Sequence, residues 1–173
     1  DAMRKSNERY QLLADNVSDV IFIRNMNFRF AYLNPSIEKM TGYSAEEAMA
    51  LPMQSAYTPD SIDLAMKAFS EELSKERDGQ SDPNRVRTIE MEGFRKDGSR
   101  IWTEARMSFL RDANGLPIGV LGVSRDITER KQTQEALLEN EFRFKKLSSQ
   151  VPGMIYQFMK RPDGTYFVPF TTE

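Results

Sequence analysis

Hydrophobic and polar residues alternate with a period of two along residues 86–124, which is the pattern of β-strands with one buried face. Turn-forming sequences at 96–99 and 114–115 interrupt the alternation twice. The predicted antiparallel strands are therefore 86–94, 101–110 and 118–124. From this alternation we expect the side of the sheet that carries Thr103 and Met107 to face the interior.

The first half of the chain combines one predicted hairpin with short helices. Apolar runs at 20–23 and 28–33 predict paired strands, because turn-forming asparagines lie between them. Helix-start signals follow at three places, namely Asn34-Pro35, the capping box of Ser44 and Glu47, and Thr58-Pro59. The third begins an apolar stripe through Leu73, and the polar residues 75–85 predict a loop. This order of elements predicts an α+β domain with helices on one sheet face and disfavours a doubly wound parallel sheet.

Both ends of this domain predict helices. The first is expected at 3–17, where Tyr10 and Leu13 recur at helical spacing. The second begins near Asp126 and continues to about residue 147 through a highly charged segment without Gly or Pro. Its sparse apolar seam consists, at heptad spacing, of Ile127, Leu137 and Phe144. A coiled coil is therefore only weakly encoded.

An internal repeat becomes visible when the chain is shifted by 134 residues. Arg9 then aligns with Arg143 and Ile21 with Ile155, which predicts the start of a second unit. This unit would end after a hairpin around residues 162–164, too short to bury a core of its own. The predicted divisions are an N-terminal helix at 1–18, a central domain at 19–126, a linking helix at 127–147 and a truncated second unit at 148–173.

Composition excludes several classes of function. The chain has no Cys and no His, which excludes thiolate nucleophiles, cysteinyl flavin adducts, and imidazole as general base, haem ligand or phosphoacceptor. Its formal charge is -2 with acids and bases interspersed, so we expect no nucleic acid and no membrane contact. No apolar run reaches the roughly 20 residues of a membrane span. We expect a cytoplasmic fragment whose first residue, Asp1, lies inside a longer chain.

Four segments of the central domain resemble a known family. In chain order they are Asn34-Pro35 with Thr41-Gly42-Tyr43-Ser44 and Glu46-Glu47; Arg95-Lys96-Asp97-Gly98-Ser99 with Trp102; Arg111-Asp112 with Asn114-Gly115; and Gly122-Val123-Ser124-Arg125-Asp126-Ile127-Thr128-Glu129-Arg130-Lys131. Their order and spacing over about residues 7–131 resemble the PAS family. Residues 143–170 resemble the opening of a second PAS repeat.

The resemblance implies a fold, a site and a class of parent protein. A PAS domain would have a five-stranded antiparallel sheet cupped by short helices, a ligand cavity between them, and a terminal helix that passes the signal onward. Similar proteins are often sensor histidine kinases or diguanylate cyclases, in which this fragment would be regulatory and not itself catalytic. Where similar flavin domains carry a reactive Cys this chain has Met53, and their flavin-binding amides correspond to Gly93, Thr103 and Ser124. We therefore expect no haem and no flavin adduct.

The inward face defines a candidate ligand-binding cavity. Its predicted lining is Ile21, Ile23, Met53, Met66, Phe69, Ile89, Met91, Thr103, Ala105, Met107, Val120 and Ser124. This mostly apolar set with two hydroxyls suits a small aromatic or lipid-like effector. The same side chains would equally fill an ordinary core, which is the more frequent arrangement.

Two further sets of residues concern signalling and assembly. Trp102 falls on the outer sheet face and, with Tyr10 and Leu13, is a candidate interface of a homodimer formed through the N-terminal and C-terminal helices. The candidate relay residues, at the start of the C-terminal helix, are Asp126, Thr128 and Glu129. Two functions stay open: a module that senses a small ligand or partner and signals to downstream domains of the same chain, or a constitutive dimerisation and spacer module with a filled core.

Overall fold

The computed structural model describes residues 18–78, 82–150 and 156–171. In chain order its elements are β1 (Val20–Asn25), β2 (Phe30–Leu33), α1 (Ser36–Thr41), α2 (Ala45–Ala50), α3 (Met53–Ala56), α4 (Pro59–Arg77), β3 (Arg87–Phe94), β4 (Arg100–Arg111), β5 (Pro117–Asp126), α5 (Thr128–Gln150), β6 (Tyr156–Lys160) and β7 (Tyr166–Thr171). The chain divides into two compact units, Asp1–Glu129 and Arg130–Glu173.

Five strands form the sheet of the first unit in the order β2-β1-β5-β4-β3, with every neighbouring pair antiparallel. Strand β4 pairs with both β3 and β5, as the alternation of residues 86–124 predicts. Thr103 and Ala105 are each 4 % exposed and face the helices with Met107. The hairpin turns place Gly98 and Gly115 at φ 84° and 82°, where glycine avoids the steric cost of a side chain. The predicted α+β fold is confirmed.

The core lies between the sheet and the helices in two adjoining clusters. One contains Val20, Phe22, Leu33, Met40 and Ile101, and the other contains Ala68, Ile89, Met91 and Ala105. Met107 packs against both clusters. Helices α1 and α4 are therefore held on one sheet face by apolar burial, with α1 near β1 and α4 near β3.

The local sequence predicts some helix boundaries correctly and others wrongly. The Ser44 hydroxyl accepts from the Glu47 amide at 3.2 Å, and the Glu47 carboxylate accepts from the Ser44 amide at 3.0 Å. This is the predicted capping box. The prediction that the loop begins at residue 75 is wrong, because α4 continues to Arg77. An ion pair between Glu76 and Arg111 of β4, at 2.6 Å, fastens this last turn to the sheet, a contact that local sequence does not reveal.

Asn34 has a different role from the predicted helix cap. Pro35 is the residue at the start of α1, and no side chain caps it. The Asn34 amide oxygen instead accepts from the Ile21 amide at 2.9 Å, and its nitrogen donates to the Asp19 carbonyl at 3.2 Å and the Ser36 hydroxyl at 3.3 Å. The side chain is 0 % exposed, so it joins the end of β2 to β1 and α1 in the interior.

The second unit contains most of α5 and a hairpin of β6 and β7. The hairpin turns at Gly164, whose φ is 89°, within the turn that the sequence predicts. Its assignment as a truncated PAS repeat stays a prediction. The predicted N-terminal helix at 3–17, with Tyr10 and Leu13, lies outside the described residues. In the part of the chain that is described, none of the helices has the length and apolar character that crossing a bilayer requires.

Candidate functional site

A cavity of about 160 Å³ lies between the helices and the inner face of the sheet in the first unit. Eight of the predicted residues line it, namely Met53, Phe69, Met91, Thr103, Ala105, Met107, Val120 and Ser124. They come from α3, α4 and the three strands β3, β4 and β5. That these residues bind a ligand stays a prediction.

The other four predicted residues do not line the cavity. In β1 the inward residues are Val20 and Phe22, whereas Ile21 and Ile23 point to the opposite face. The run Val-Ile-Phe-Ile has no alternation from which its phase could be read. Met66 is 43 % exposed on the outside of α4, and Ile89 is buried in the core against Ala68 and not at the cavity surface.

Arg24 is a cavity residue that the sequence did not identify, since an arginine next to a turn is ordinarily solvent-exposed. It continues the inward phase of β1, and its guanidinium donates to the Phe28 carbonyl at 2.6 Å. The Arg24 Cζ atom lies 3.6 Å from the centroid of the Phe30 ring, a cation–π contact. Burial lowers the pKa of Arg24, whereas Tyr57, which also lines the cavity, acts in the opposite direction.

Aromatic rings form one wall of the cavity. The rings of Phe28 and Phe69 meet at an angle of 66° with centroids 4.6 Å apart, and Phe69 and Phe109 meet at 73° and 5.8 Å. Phe28 has φ 61°, a left-handed conformation that costs a residue with a bulky side chain about 1–2 kcal/mol. The edge-to-face ring contacts hold this strained residue in place, with its carbonyl at Arg24.

Ion pairs line the edge of the cavity where α4 meets β3 and β4. Arg111 binds both carboxylate oxygens of Glu76, at 2.8 and 2.6 Å. Burial raises the pKa of Glu72, but hydrogen bonds from Lys75 and Arg85 outweigh it and leave the pKa below its usual value. These acids and bases neutralise one another, in contrast to Arg24.

The start of α5 is bonded to the sheet next to the cavity. The Ile127 amide donates to the Trp102 carbonyl at 2.8 Å, and the Trp102 amide donates to the Thr128 hydroxyl at 3.0 Å. Trp102 lies on the outer face of β4, and its neighbours Ile101 and Thr103 line the cavity. A displacement of β4 would therefore be transmitted to the start of α5 through these two hydrogen bonds.

Asp126 adds a second connection at the same junction. Its carboxylate accepts from the Thr128 amide at 2.8 Å and from Arg95 at 2.6 Å. Arg95 also donates to the carbonyl of Met40, a cavity residue at the end of α1, at 3.0 Å. Glu129 lies exposed in the first turn of α5. Asp126 therefore ties the helix start to both sides of the cavity, through β5 and through α1.

The part of the chain that forms this sheet and its helices matches a known family. A model of the PAS domain matches residues 18–129. The chain belongs to the PAS domain family. Its PAS domain therefore accounts for the five-stranded sheet, the helices α1 to α4 and the first residues of α5.

Relatives of this PAS domain occur in much longer signalling proteins. Over 135 residues, or 76 % of this chain, it is 30 % identical to Two-component system protein A of Emericella nidulans, of which it spans 18 %. Over 136 residues, or 79 % of this chain, it is 27 % identical to the Sensor histidine kinase TmoS of Ectopseudomonas mendocina, of which it spans 13 %. A solved PAS domain from Colwellia psychrerythraea is 25 % identical to this chain and superposes on it with a TM-score of 0.57. The match covers 71 % of this chain and 98 % of the Colwellia chain. This PAS domain is thus homologous to sensory domains of histidine kinases, and such a domain is regulatory and not itself catalytic.

The side chains of this PAS domain exclude two specific ways of holding haem or flavin. The chain has neither His nor Cys, so it offers no imidazole to haem and no thiol to flavin. Met53 lines the cavity, and its correspondence to the flavin-reactive Cys stays a prediction. At Gly93 a Cβ would lie 2.5 Å from the Ala56 carbonyl oxygen, so a side chain reading a flavin edge has no room there. Among the described residues there is no cluster of three or more His, Cys, Asp or Glu for a metal ion.

Proposed function

We propose that this PAS domain is a sensory and signal-relay module of a multidomain signal-transduction protein, in the first place a sensor histidine kinase and otherwise a diguanylate cyclase. A small ligand or a partner biases the sheet, and the sheet changes the pairing of α5 between two copies of the chain. Downstream signalling domains of the same chain then receive the change. The homology to sensory domains of histidine kinases supports this proposal.

The observation that carries the proposal is the junction between β4 and α5. Trp102 exchanges hydrogen bonds with Ile127 and Thr128, while the next residue, Thr103, is 4 % exposed on the cavity side. Because β4 lines the cavity and is also hydrogen-bonded to the start of α5, a change in cavity occupancy that moves β4 would also move the start of α5. A ligand with different affinity for two positions of β4 would change the population of each.

Exposed apolar residues on α5 support pairing between copies. Leu137, Leu138 and Phe142 are 60 %, 64 % and 67 % exposed. Apolar side chains at this spacing on an otherwise charged helix are typical of a helix that pairs. The same residues also favour the second candidate function, a constitutive dimer whose cavity needs no ligand.

Disulfide cross-linking separates the two functions, because the chain has no native Cys. A Leu137→Cys variant reports pairing at the apolar seam, and Gln132→Cys is the control on the opposite, polar side of the helix. We expect efficient cross-linking at 137 and little at 132. An Ala65→Leu change, which partly fills the cavity from α4, is then combined with Leu137→Cys.

For a relay, filling the cavity changes the cross-linking yield at residue 137 twofold or more. Met66→Leu, on the neighbouring exposed position outside the cavity, leaves the yield unchanged. A yield at 137 that is the same in all these backgrounds would contradict the relay and support constitutive dimerisation. Equal yields at 132 and 137 would contradict pairing through the seam.

A further inference from the structure

Arg24 is the cationic cavity residue without an ion-pair partner in the described part of the chain. Within residues 18–78, 82–150 and 156–171, no carboxylate lies at ion-pair distance from its guanidinium. The other arginines that line the cavity are paired, Arg111 with Glu76, Arg85 with Glu72 and Arg87 with Glu71. A partly buried cation without an anion is costly, and a bound anion would remove that cost.

The hydrogen-bonding capacity of Arg24 is largely unused. A guanidinium has five N–H donors, and Arg24 uses one of its terminal nitrogens toward the Phe28 carbonyl. The planar group lies against the Phe30 ring at 3.6 Å, which fixes its orientation beside the cavity. A planar guanidinium held in this way matches the geometry of a carboxylate, which accepts two parallel N–H bonds.

Tyr57 supplies a second group for the same ligand. It lines the cavity from the end of α3, close enough to Arg24 for the two side chains to interact electrostatically. Burial raises the pKa of the Tyr57 phenol, with Arg24 opposing this effect, so the hydroxyl keeps its proton at neutral pH. It is therefore a donor toward an anion in the cavity.

The size and lining of the cavity restrict the remainder of the ligand. Its volume of about 160 Å³ is close to that of an apolar cavity of about 150 Å³ that binds benzene. The lining beside Arg24 is aromatic, with Phe28, Phe69 and Phe109 in edge-to-face contact. A single aromatic ring fills such a space and makes favourable contacts with these rings.

We propose that the cavity binds a monocyclic aromatic carboxylate, with the carboxylate on Arg24 and Tyr57 and the ring against the phenylalanine wall. This inference rests on the proposed sensory function and names the chemical class of its ligand. Arg24 determines specificity, because a neutral aromatic ring of the same size would gain the apolar contacts and lose the ionic ones. The ring contacts add affinity that such a neutral ring would share.

Titration calorimetry with benzoate and its neutral isostere benzamide tests the assignment on the unaltered chain. We expect benzoate to bind about tenfold more tightly or better, since hydrogen bonds to a charged group contribute about 1.5–3 kcal/mol. Arg24→Gln should abolish this preference while benzamide binding persists. Arg29→Gln, an exposed arginine in the same hairpin, should keep the preference in full.

Folding of each variant is checked by its thermal midpoint, and Arg24→Lys retains the charge if Arg24→Gln is unstable. Benzoate that binds no better than benzamide to the unaltered chain overturns the inference, as does a preference that survives Arg24→Gln. Failure of both compounds to bind also overturns it. None of these results bears on the proposed relay. The relay is tested separately and without any ligand, by cross-linking at residue 137 in the chain with the cavity-filling change.

Discussion

Substitution of Gly122 tests how closely the side chains of the cavity wall are packed. It lies opposite Phe22 in the pairing of β1 and β5. A Cβ at residue 122 would lie 2.1 Å from Phe22 Cζ and 2.6 Å from each of its Cε atoms. The ring has little freedom to move, since Phe22 is 9 % exposed and packs at 90° against Phe30. The Gly122→Ala change must therefore turn the ring toward the cavity or displace β5.

The magnitude follows from two opposing terms. Overpacking of this kind lowers the stability of the folded state by about 1–3 kcal/mol. Alanine also lowers the entropy of the unfolded chain, which stabilises the fold by about 0.4–1 kcal/mol. We expect a net loss of about 1–2 kcal/mol in the free energy of unfolding. The melting temperature should fall by about 4–8 °C, taking about 4 °C per kcal/mol for a domain of this size.

Urea unfolding and a double-mutant cycle measure this effect. Phe22→Leu removes the clashing ring, so Gly122→Ala should cost much less in the Phe22→Leu background than in the original chain. Val123→Ala on the neighbouring exposed position should change the stability by less than about 0.5 kcal/mol. A Gly122→Ala protein as stable as the original, or a cost that is unchanged by Phe22→Leu, would refute the packing argument.

Three further changes test the hydrogen bonds around the sheet. A hydrogen bond from Arg125 lowers the pKa of Asp19, with burial opposing it, so this carboxylate stabilises the fold above its ordinary pKa and the effect is lost as pH falls through the lowered value. Asp19→Asn should therefore lower the urea midpoint at pH 7, and this loss should shrink as the pH falls below the ordinary Asp pKa of about 3.9; a loss that does not change with pH would contradict the ion pair. Asn34→Ala should cost about 2 kcal/mol or more by thermal unfolding, because it leaves the buried Ile21 amide without its acceptor, and a loss below 1 kcal/mol would contradict this. Thr128→Val should cost about 1 kcal/mol and change the emission of Trp102, the single tryptophan, whereas an unchanged spectrum would show that the helix start is held without the hydroxyl.

The sequence predicts the strands around β4 well because their pattern is local. In the middle of β3 and β4, over residues 89–92 and 103–108, each inward residue is followed by a charged or polar one, so alternation alone gives both the strand and its phase. In β1 the apolar run is continuous, and only pairing with β5 determines that Phe22 faces inward and Ile21 does not. The phase of such a strand is a property of the tertiary structure.

Arg24 shows why a functional site is harder to predict than the fold around it. Its residue type suggests solvent exposure, and the position becomes interior only because the inward phase of β1 continues two residues beyond Phe22. Phe28 contributes through a left-handed backbone that a Phe rarely adopts. Both features depend on contacts between residues that have no periodic relation in the sequence, and the aromatic wall with its cation therefore emerges only in three dimensions.

The small cavity limits what a ligand can do to the relay. Burying one aromatic ring contributes about 1.5–3 kcal/mol, and hydrogen bonds to its carboxylate contribute about 1.5–3 kcal/mol more. A ligand shifts an equilibrium only by the difference in its affinity for the two states, which is a fraction of these contributions. A complete switch from 1:99 to 99:1 needs about 5.5 kcal/mol, close to everything that ring and carboxylate supply together. The proposed relay through a cavity of about 160 Å³ therefore requires two positions of α5 that are nearly equal in free energy without ligand. A sparse seam, in which Leu137 is flanked by charged and polar heptad positions, would give the weak pairing that such a balance requires.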